Sequence, residues 1–429
     1  MTFEEAKQYL FDSWRVNNKK GLEALKKALA LLGDPQEKLK IIHVSGTNGK
    51  GSFCAMMTSV LAAEGYAVGK FTSPHLETFH ERLMINDVMI SDEDFAWHMG
   101  RIADVTRMMH GTESTFSFFE IFTMLAFDYF CEKSVDFVLL EVGIGGRLDA
   151  TNVIKSPVLT VVMSIGMDHM EILGNTIEEI TREEAGIIKE NCPVVLYPNS
   201  PVVYNIVTEM AKAKNAKIYH GRDVEMDATE ISIGGSTFYA RHEYFGRICI
   251  KLSLMGQYQL RNATCAIAGV AALNEAGFYV SVQSLQKGLK DAKWGGRMEI
   301  CAENPLIILE GAHNLQGAQA AAENMKTLFD GKQITLLVGI LKDKEYEAVV
   351  QTLAARANKV VFTKPLYDFK AVPPEVLAEA AQNWEGKEVY VVENCLEALE
   401  KAREITAADG VVFCSGSLYL VGDIRKALI

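Results

Sequence analysis

Short apolar runs rich in β-branched residues alternate along the chain with stretches whose apolar positions recur at the helical period. In the first half the runs "KIIHVSG", "AVGKFTS", "VDFVLLEVG", "VLTVVMSIG" and "PVVLYP" read as strands. The helical stretch "TIEEITREEAGIIK" opens on Thr176 followed by Glu179, the spacing of a capping box, and sets Ile177, Ile180, Ile187 and Ile188 near one face. Between Lys217 and Lys251 the pattern changes to short alternating runs such as "TFYARHEYFGRICIKLSL", which predict a small antiparallel appendage; a helix from about Leu260 to Ala276 follows. After "DAKWGGRMEI" the strands "LIILEG", "ITLLVGI", "KVVFTK", "EVYVVE" and "GVVFCSG" alternate with five helical stretches. Strand and helix in alternation are the pattern of parallel sheets with helical crossovers. The expected fold is α/β: an N-terminal domain over residues 1–295 with a P-loop-type parallel sheet and the small antiparallel appendage, and a C-terminal Rossmann-like α/β domain over residues 296–429. The break falls at the glycine-rich hinge Trp294 to Arg297, and ligands are expected beyond the carboxyl ends of the strands.

Composition narrows the picture. A chain of 429 residues exceeds what one core usually supports, and 49% hydrophobic with 23% charged residues is an ordinary globular balance. A formal net charge of -12, with no basic stripe, argues against a nucleic-acid partner. The eight cysteines form no C-x-x-C pair and no zinc-type cluster, so they read as reduced thiols. The N-terminal "MTFEEAKQYLFD" is acidic and amphipathic, and no run approaches the roughly 18 apolar residues of a membrane span. A cytoplasmic protein, monomeric and without a membrane partner, is expected.

Candidate chemistry begins at "HVSGTNGKGSFCAMM", residues 43–57. The usual phosphate-loop pattern G-x-x-x-x-G-K-[ST] fails here, because Val44 and Gly51 stand where Gly and Ser or Thr are wanted. Strand, glycine turn and helix nevertheless follow in the order that phosphate binding needs. Gly46, Gly49 and Gly51 let backbone N–H groups converge at the helix N-terminus, with Asn48 between them, while Lys50 adds a point charge and Ser52 reaches a magnesium ion. A glycine-rich turn alone is as often a tight structural turn; the lysine and serine at this position favour phosphate, and ATP over a dinucleotide, which has no use for the lysine.

Four segments in order, "GTNGKGS", "TSPHLETFHERLMIN", "EVGIGGRLDATNV" and "SIGMDHMEILGNT", and beyond them "GQYQLRNATCAIA", "WGGRME", "EGAHN" and "SGSLYLVGDIR", resemble the folylpolyglutamate synthase family, including bacterial members that are also dihydrofolate synthases, within the Mur ligase superfamily. The resemblance implies an ATP-dependent ligase that joins L-glutamate to a folate, or to dihydropteroate, through an acyl phosphate. By that resemblance Ser73 and Glu141 are ligands of one magnesium ion and His169 of a second; Asn262, Arg297, Glu310 and Tyr419 join the loop in binding ATP; and Lys50, His313, Glu184 and Ser417 serve catalysis. Phe118 and Phe119, with Leu148, Asp149 and Ala150, are implied to line the folate pocket.

The chain departs from the family pattern in four places. Glu310 stands where Asp is usual, Tyr258 where His is frequent, and Gly295 where "WPGR" has proline, which predicts a looser hinge. Glu184 stands where relatives commonly carry a lysine that becomes a carbamate, and is expected to act as a permanent carboxylate near the second metal. Two rival readings are a cell-wall ligase of the same superfamily, against which the folate-type stretch at residues 72–86 speaks, and a nucleotide-binding regulator without catalysis, against which the full set Lys50, Ser73, Glu141, His169 and His313 speaks.

Overall fold

The computed structural model describes residues 1–13, 21–110, 116–366, 370–380 and 386–429. Its first sheet has eight strands, and their spatial order runs from the hairpin Val88–Met89 and Leu83–Ile85 through Val68–Phe71, Phe137–Glu141, Ile41–Ser45, Leu159–Val162 and Val194–Leu196 to Ile218–His220. All neighbours are parallel except that hairpin at one edge. The central strands are buried along their whole length, which is why their sequences are continuous apolar runs rather than alternating ones. Successive side chains still part to opposite faces: Ile42 and Val44 join the core under the helices Lys50–Glu64 and Gln257–Glu275, while Ile41 joins the core around Phe122. From Ile41–Ser45 the chain crosses to one side of the sheet and, after Glu141, to the other, so this strand lies at the switch point where an open sheet leaves a crevice.

The antiparallel appendage is a three-stranded sheet of Glu225–Ser232, Gly235–His242 and Gly246–Leu252. It starts later than its sequence pattern predicts, because Ile218–His220 pairs in parallel with Val194–Leu196 and completes the large sheet. The capping box at Thr176 and Glu179 forms as expected, and the helix it starts runs Ile177–Glu184.

The third sheet orders six strands as Glu299–Glu303, Leu306–Glu310, Val411–Ser415, Ile334–Val338, Lys359–Lys364 and Glu388–Asn394, with the five expected strands parallel. Glu299–Glu303 is an antiparallel edge strand that the half-exposed, polar "EICAE" pattern concealed. The two large sheets face each other across polar contacts: Asn48 with Asn314 and Gln316, Gln316 with Ser164, and Arg425 with Glu77. The turn between them is tied rather than slack, since the Gly296 N–H donates to Glu299 and its carbonyl accepts from the Gly311 N–H at 2.7 Å.

Candidate active site

The glycine loop leaves Ile41–Ser45 and enters the helix Lys50–Glu64 without a side-chain cap; Gly49 takes the cap position at φ 90°. That backbone angle suits glycine, and a Cβ there would lie 2.8 Å from Asn262 Oδ1. The Thr47 and Asn48 N–H groups donate to the Ser164 carbonyl. Lys50 folds back over the loop, its Nζ 2.5 Å from the Gly46 carbonyl and 3.3 Å from that of Thr47. Ser52 is buried and its Oγ accepts from Gln259, whose own side chain is bonded by Asn262. Asn262 therefore braces the loop from behind and lines neither of the clefts below.

Around the loop lies a cleft of about 840 Å³, lined among others by Lys50, Ser73, Glu141, His169, Glu184 and Arg297. Glu141 reaches it because strand pairing sets it beside Val44, just before the loop. Its Oε2 accepts the Ser73 N–H at 3.1 Å. Burial pushes the Glu141 carboxyl up to about 7, against the pull of Lys50, the Ser73 N–H and Arg297. Glu184, at the end of its helix, is 3% exposed and its Oε2 accepts the Gly46 N–H at 2.9 Å. Burial raises its carboxyl too, while Lys50 and the N–H groups of Gly46 and Gly145 oppose the rise. The loop cation thus faces two buried carboxylates, which the resemblance assigned separate roles.

A second cleft of about 1030 Å³ opens on the other side, lined by Arg82, Phe118, Phe119, Leu148, Lys344 and Tyr419 among others. Arg82 is buried, its Nε donates to His75 Nδ1 at 2.9 Å, and its guanidinium stands 5.3 Å from the Phe118 ring centroid. Burial lowers it only to about 10, so it stays a cation. Asp149 lines this cleft as well and ties its wall together. Its two oxygens accept from the N–H groups of Gly143, Ile144 and Thr151 and from the Thr151 hydroxyl, which fixes the loop that carries Leu148 and Ala150. Ser417 caps the helix Leu418–Leu428 by accepting the Tyr419 N–H, so a helix N-terminus points at this cleft. Tyr419, expected at the nucleotide, lines this second cleft and not the loop cleft, because the first turn of that helix faces Arg82.

The two clefts meet. Ser73, Gly143, His169 and His313 line both of them. His313 Nδ1 is 2.8 Å from the Gly311 carbonyl, which accepts only, so Nδ1 carries the proton and Nε2 is bare. Burial, with Lys344 behind it, pushes this imidazole down to about 4 and keeps it neutral. Beside it Asp168 accepts from Asn314 at 2.9 Å and from Lys344 at 2.7 Å, both of the C-terminal sheet's side chains. Burial raises the Asp168 carboxyl, but Lys344 with His169 and His313 more than reverses this and holds it below the usual carboxylate range. Glu310 is the other correction: it lines neither cleft, and its carboxylate is closed between the Tyr258 hydroxyl at 2.7 Å and Arg297 at 3.5 Å. The two departures at positions 258 and 310 are thus each other's partners.

Three residues lining the clefts were given no role by the sequence: Asp168 sits beside the more conspicuous His169 in "GMDHMEILG", Arg82 lies within "TSPHLETFHERLMIN", and Lys344 carries no signal of spacing. Trp294 was read only as the start of the hinge.

Comparison with known proteins decides the family. Residues 44–270 match the Mur ligase middle domain, and residues 296–418 the Mur ligase glutamate ligase domain. The dihydrofolate synthase/folylpolyglutamate synthase of Bacillus subtilis is 36% identical over 99% of both chains. The chain belongs to the folylpolyglutamate synthase and dihydrofolate synthase family. Among solved structures, Mycobacterium tuberculosis folylpolyglutamate synthase complexed with ADP superposes with a TM-score of 0.90 at 28% identity, covering 99% of this chain and 98% of that one. Escherichia coli FolC in complex with DHPP and ADP gives a TM-score of 0.88 at 27% identity, covering 100% and 97%. Among the described residues no helix is long and apolar enough to cross a membrane.

Proposed function

We propose that the chain uses ATP to join L-glutamate to the carboxylate of a folate or of dihydropteroate. The observation that carries this reading is the junction of the clefts at Ser73, Gly143, His169 and His313, where a phosphoryl group held on the loop side meets a carboxylate held on the aromatic side. The N–H groups at the start of the helix Lys50–Glu64, with the Lys50 ammonium, hold the β- and γ-phosphates, and Arg297 faces them across the cleft. The γ-phosphoryl passes to the carboxylate, giving ADP and an acyl phosphate; the amine then forms the amide C–N bond as the C–O bond to phosphate breaks and inorganic phosphate and a proton leave. Neutral His313, with Nε2 bare, receives the hydrogen of the attacking amine, and the helix N-terminus at Ser417 stabilises charge on the acyl oxygen.

Among the described residues no three His, Cys, Asp or Glu side chains group tightly enough to hold a cation alone. Magnesium prefers oxygen and keeps waters beside one or two protein ligands, and the Glu141 carboxylate that accepts the Ser73 N–H at 3.1 Å offers such an oxygen. Ser73 and Glu141 are the residues for one ion and His169 for a second; when bound, magnesium supplies neutralisation of phosphate charge. Glu184 serves as the permanent carboxylate in place of a carbamate, tied through Gly46 to the loop. Phe118, Phe119 and Leu148 form the apolar wall for the pterin and aminobenzoate rings.

The test is incubation of purified protein with ATP, magnesium and radiolabelled glutamate, offering tetrahydrofolate, dihydropteroate or a muramoyl precursor in turn. Label is expected in a folate or dihydropteroate product. Incorporation only into the muramoyl compound would make the chain a cell-wall ligase, and none with any acceptor would make it a non-catalytic nucleotide binder.

A further inference from the structure

The indole of Trp294 is seated on the phosphate loop. A Cβ built on Gly51 would lie 2.5 Å from Cζ2, 2.8 Å from Cε2 and 3.0 Å from Nε1 of that ring. Those separations are well inside carbon contact distance, so the ring fills the volume that any side chain at position 51 would need. This gives a physical reason for the missing serine or threonine of the usual loop. The ring also lies under a cation: Lys70 Nζ stands 5.3 Å from its centroid, and Lys70 is 2% exposed with its ammonium bonded to Asp87. A buried ammonium held over an aromatic face fixes the ring from a second direction. Trp294 is half-buried and lines the same cleft as Lys50, Ser73 and Arg297.

Three residues on, Arg297 faces Glu310. The intervening turn cannot swing freely, because Gly296 is bonded on one side to Glu299 and on the other to Gly311. One short strap therefore runs from the first turn of the phosphate helix to the arginine that faces the same cleft.

We propose that Trp294 is a positioning residue for the nucleotide: seated on Gly51 and held by Lys70, it keeps the phosphate loop and Arg297 in register so that both act on one ligand. The proposal rests on the reading that the loop binds the phosphates of ATP. In that reading Ser52 and Lys50 touch the nucleotide, whereas Trp294 acts through Gly51 and the strap.

The test uses the full chain with three readouts. Titrating ATP while following tryptophan emission should show a change that disappears in Trp294→Phe, because the ring rests on the segment that receives the phosphates. Trp294→Ala, with Trp294→Leu as a better-packed alternative, should raise the KM for ATP about tenfold and leave the KM for glutamate within about twofold, on the scale of one lost preorganised contact. Gly51→Ala should lower both melting temperature and ATP affinity in the wild-type background, and should change either much less once Trp294→Ala has emptied the space; the melting comparison is made without nucleotide and reads the contact directly. Additive losses for the two substitutions, or Trp294 variants that lower the melting temperature while leaving the ATP KM untouched, would overturn the proposal with the phosphate-loop reading intact. Wild-type protein that shows no ATP binding by calorimetry would overturn that reading and the proposal together.

Discussion

The loop cleft takes one wall from seven consecutive residues, Gly46 to Ser52, whereas the aromatic cleft draws Arg82, Phe118, Leu148, Lys344 and Tyr419 from five separate segments of the chain. In the proposed function the first takes its ligand on backbone N–H groups and a lysine of that one stretch, so its chemistry is written in contiguous letters. The second exists only after the sheets have brought distant side chains together. One of its cations, Arg82, is buried against aromatic rings rather than displayed on a turn. The lesson is that anion binding by main chain is a local property, while recognition of an extended organic molecule is a tertiary one.

Replacing the cation on each side should separate the clefts. Lys50→Ala should lower glutamate incorporation at least about a hundredfold with the fold intact, since its ammonium's hydrogen bonds among the described residues go to loop carbonyls. Turnover near wild type in a folded Lys50→Ala protein would remove the loop from the phosphate assignment. Arg82→Leu should act on the other substrate: the KM for the folate acceptor should rise by about ten- to a hundredfold, the range for a lost charged hydrogen bond, with the KM for ATP little changed. An ATP defect as large as the acceptor defect would mean that the two clefts work as one site.

Glu184 tests how far the loop side depends on its buried carboxylate. Glu184→Ala removes the acceptor of the Gly46 N–H and should lose most activity; Glu184→Lys should recover part of it only with bicarbonate, and the wild type should ignore bicarbonate. A wild-type rate that rises severalfold with bicarbonate would contradict a permanent carboxylate.

The smallest effect concerns stability. His43 lies fully buried on the central strand with Nε2 bonded to Thr151, and burial pushes it down to about 3. The unfolded chain takes up its proton near pH 6.5 while the folded chain does not, so stability falls as pH drops below that value, by about 2 kcal/mol at pH 5 for this one group. Denaturant midpoints at pH 7 and pH 5 should show that loss, and His43→Gln should reduce it. Equal pH sensitivity in the variant would assign the loss to other groups.

The elements of the fold were legible because parallel strands buried on both faces leave unmistakable apolar runs. The strands that escaped have less of that burial: Glu299–Glu303 is half exposed, Ile218–His220 is a three-residue edge strand whose residues are all only partly buried, and the edge hairpin of Leu83–Ile85 and Val88–Met89 is largely uncovered. In the site, Lys50 was marked by the strand, glycine turn and helix around it and Glu141 by its place at a strand end, whereas His169 was named only through the family resemblance. Tyr419 and Glu310 were set at the nucleotide by the family resemblance alone, and a motif does not say which cleft a side chain lines: Tyr419 lines the second and Glu310 neither. Asp149 lines the second cleft and also ties its loop through four donors, a second role that the sequence pattern does not display.

The pairing of Tyr258 with Glu310 bears on how freely the halves of such enzymes can be exchanged. One partner belongs to the helix Gln257–Glu275 and the other ends the strand Leu306–Glu310. A hybrid that joined residues 1–295 of this chain to the C-terminal half of a relative with the shorter aspartate would bury the tyrosine hydroxyl short of its acceptor, at a cost of about 1–3 kcal/mol. The reciprocal hybrid would set the longer glutamate against a histidine. The contact thus couples the helix Gln257–Glu275 to the strand Leu306–Glu310, so a substitution at either position is felt at the other.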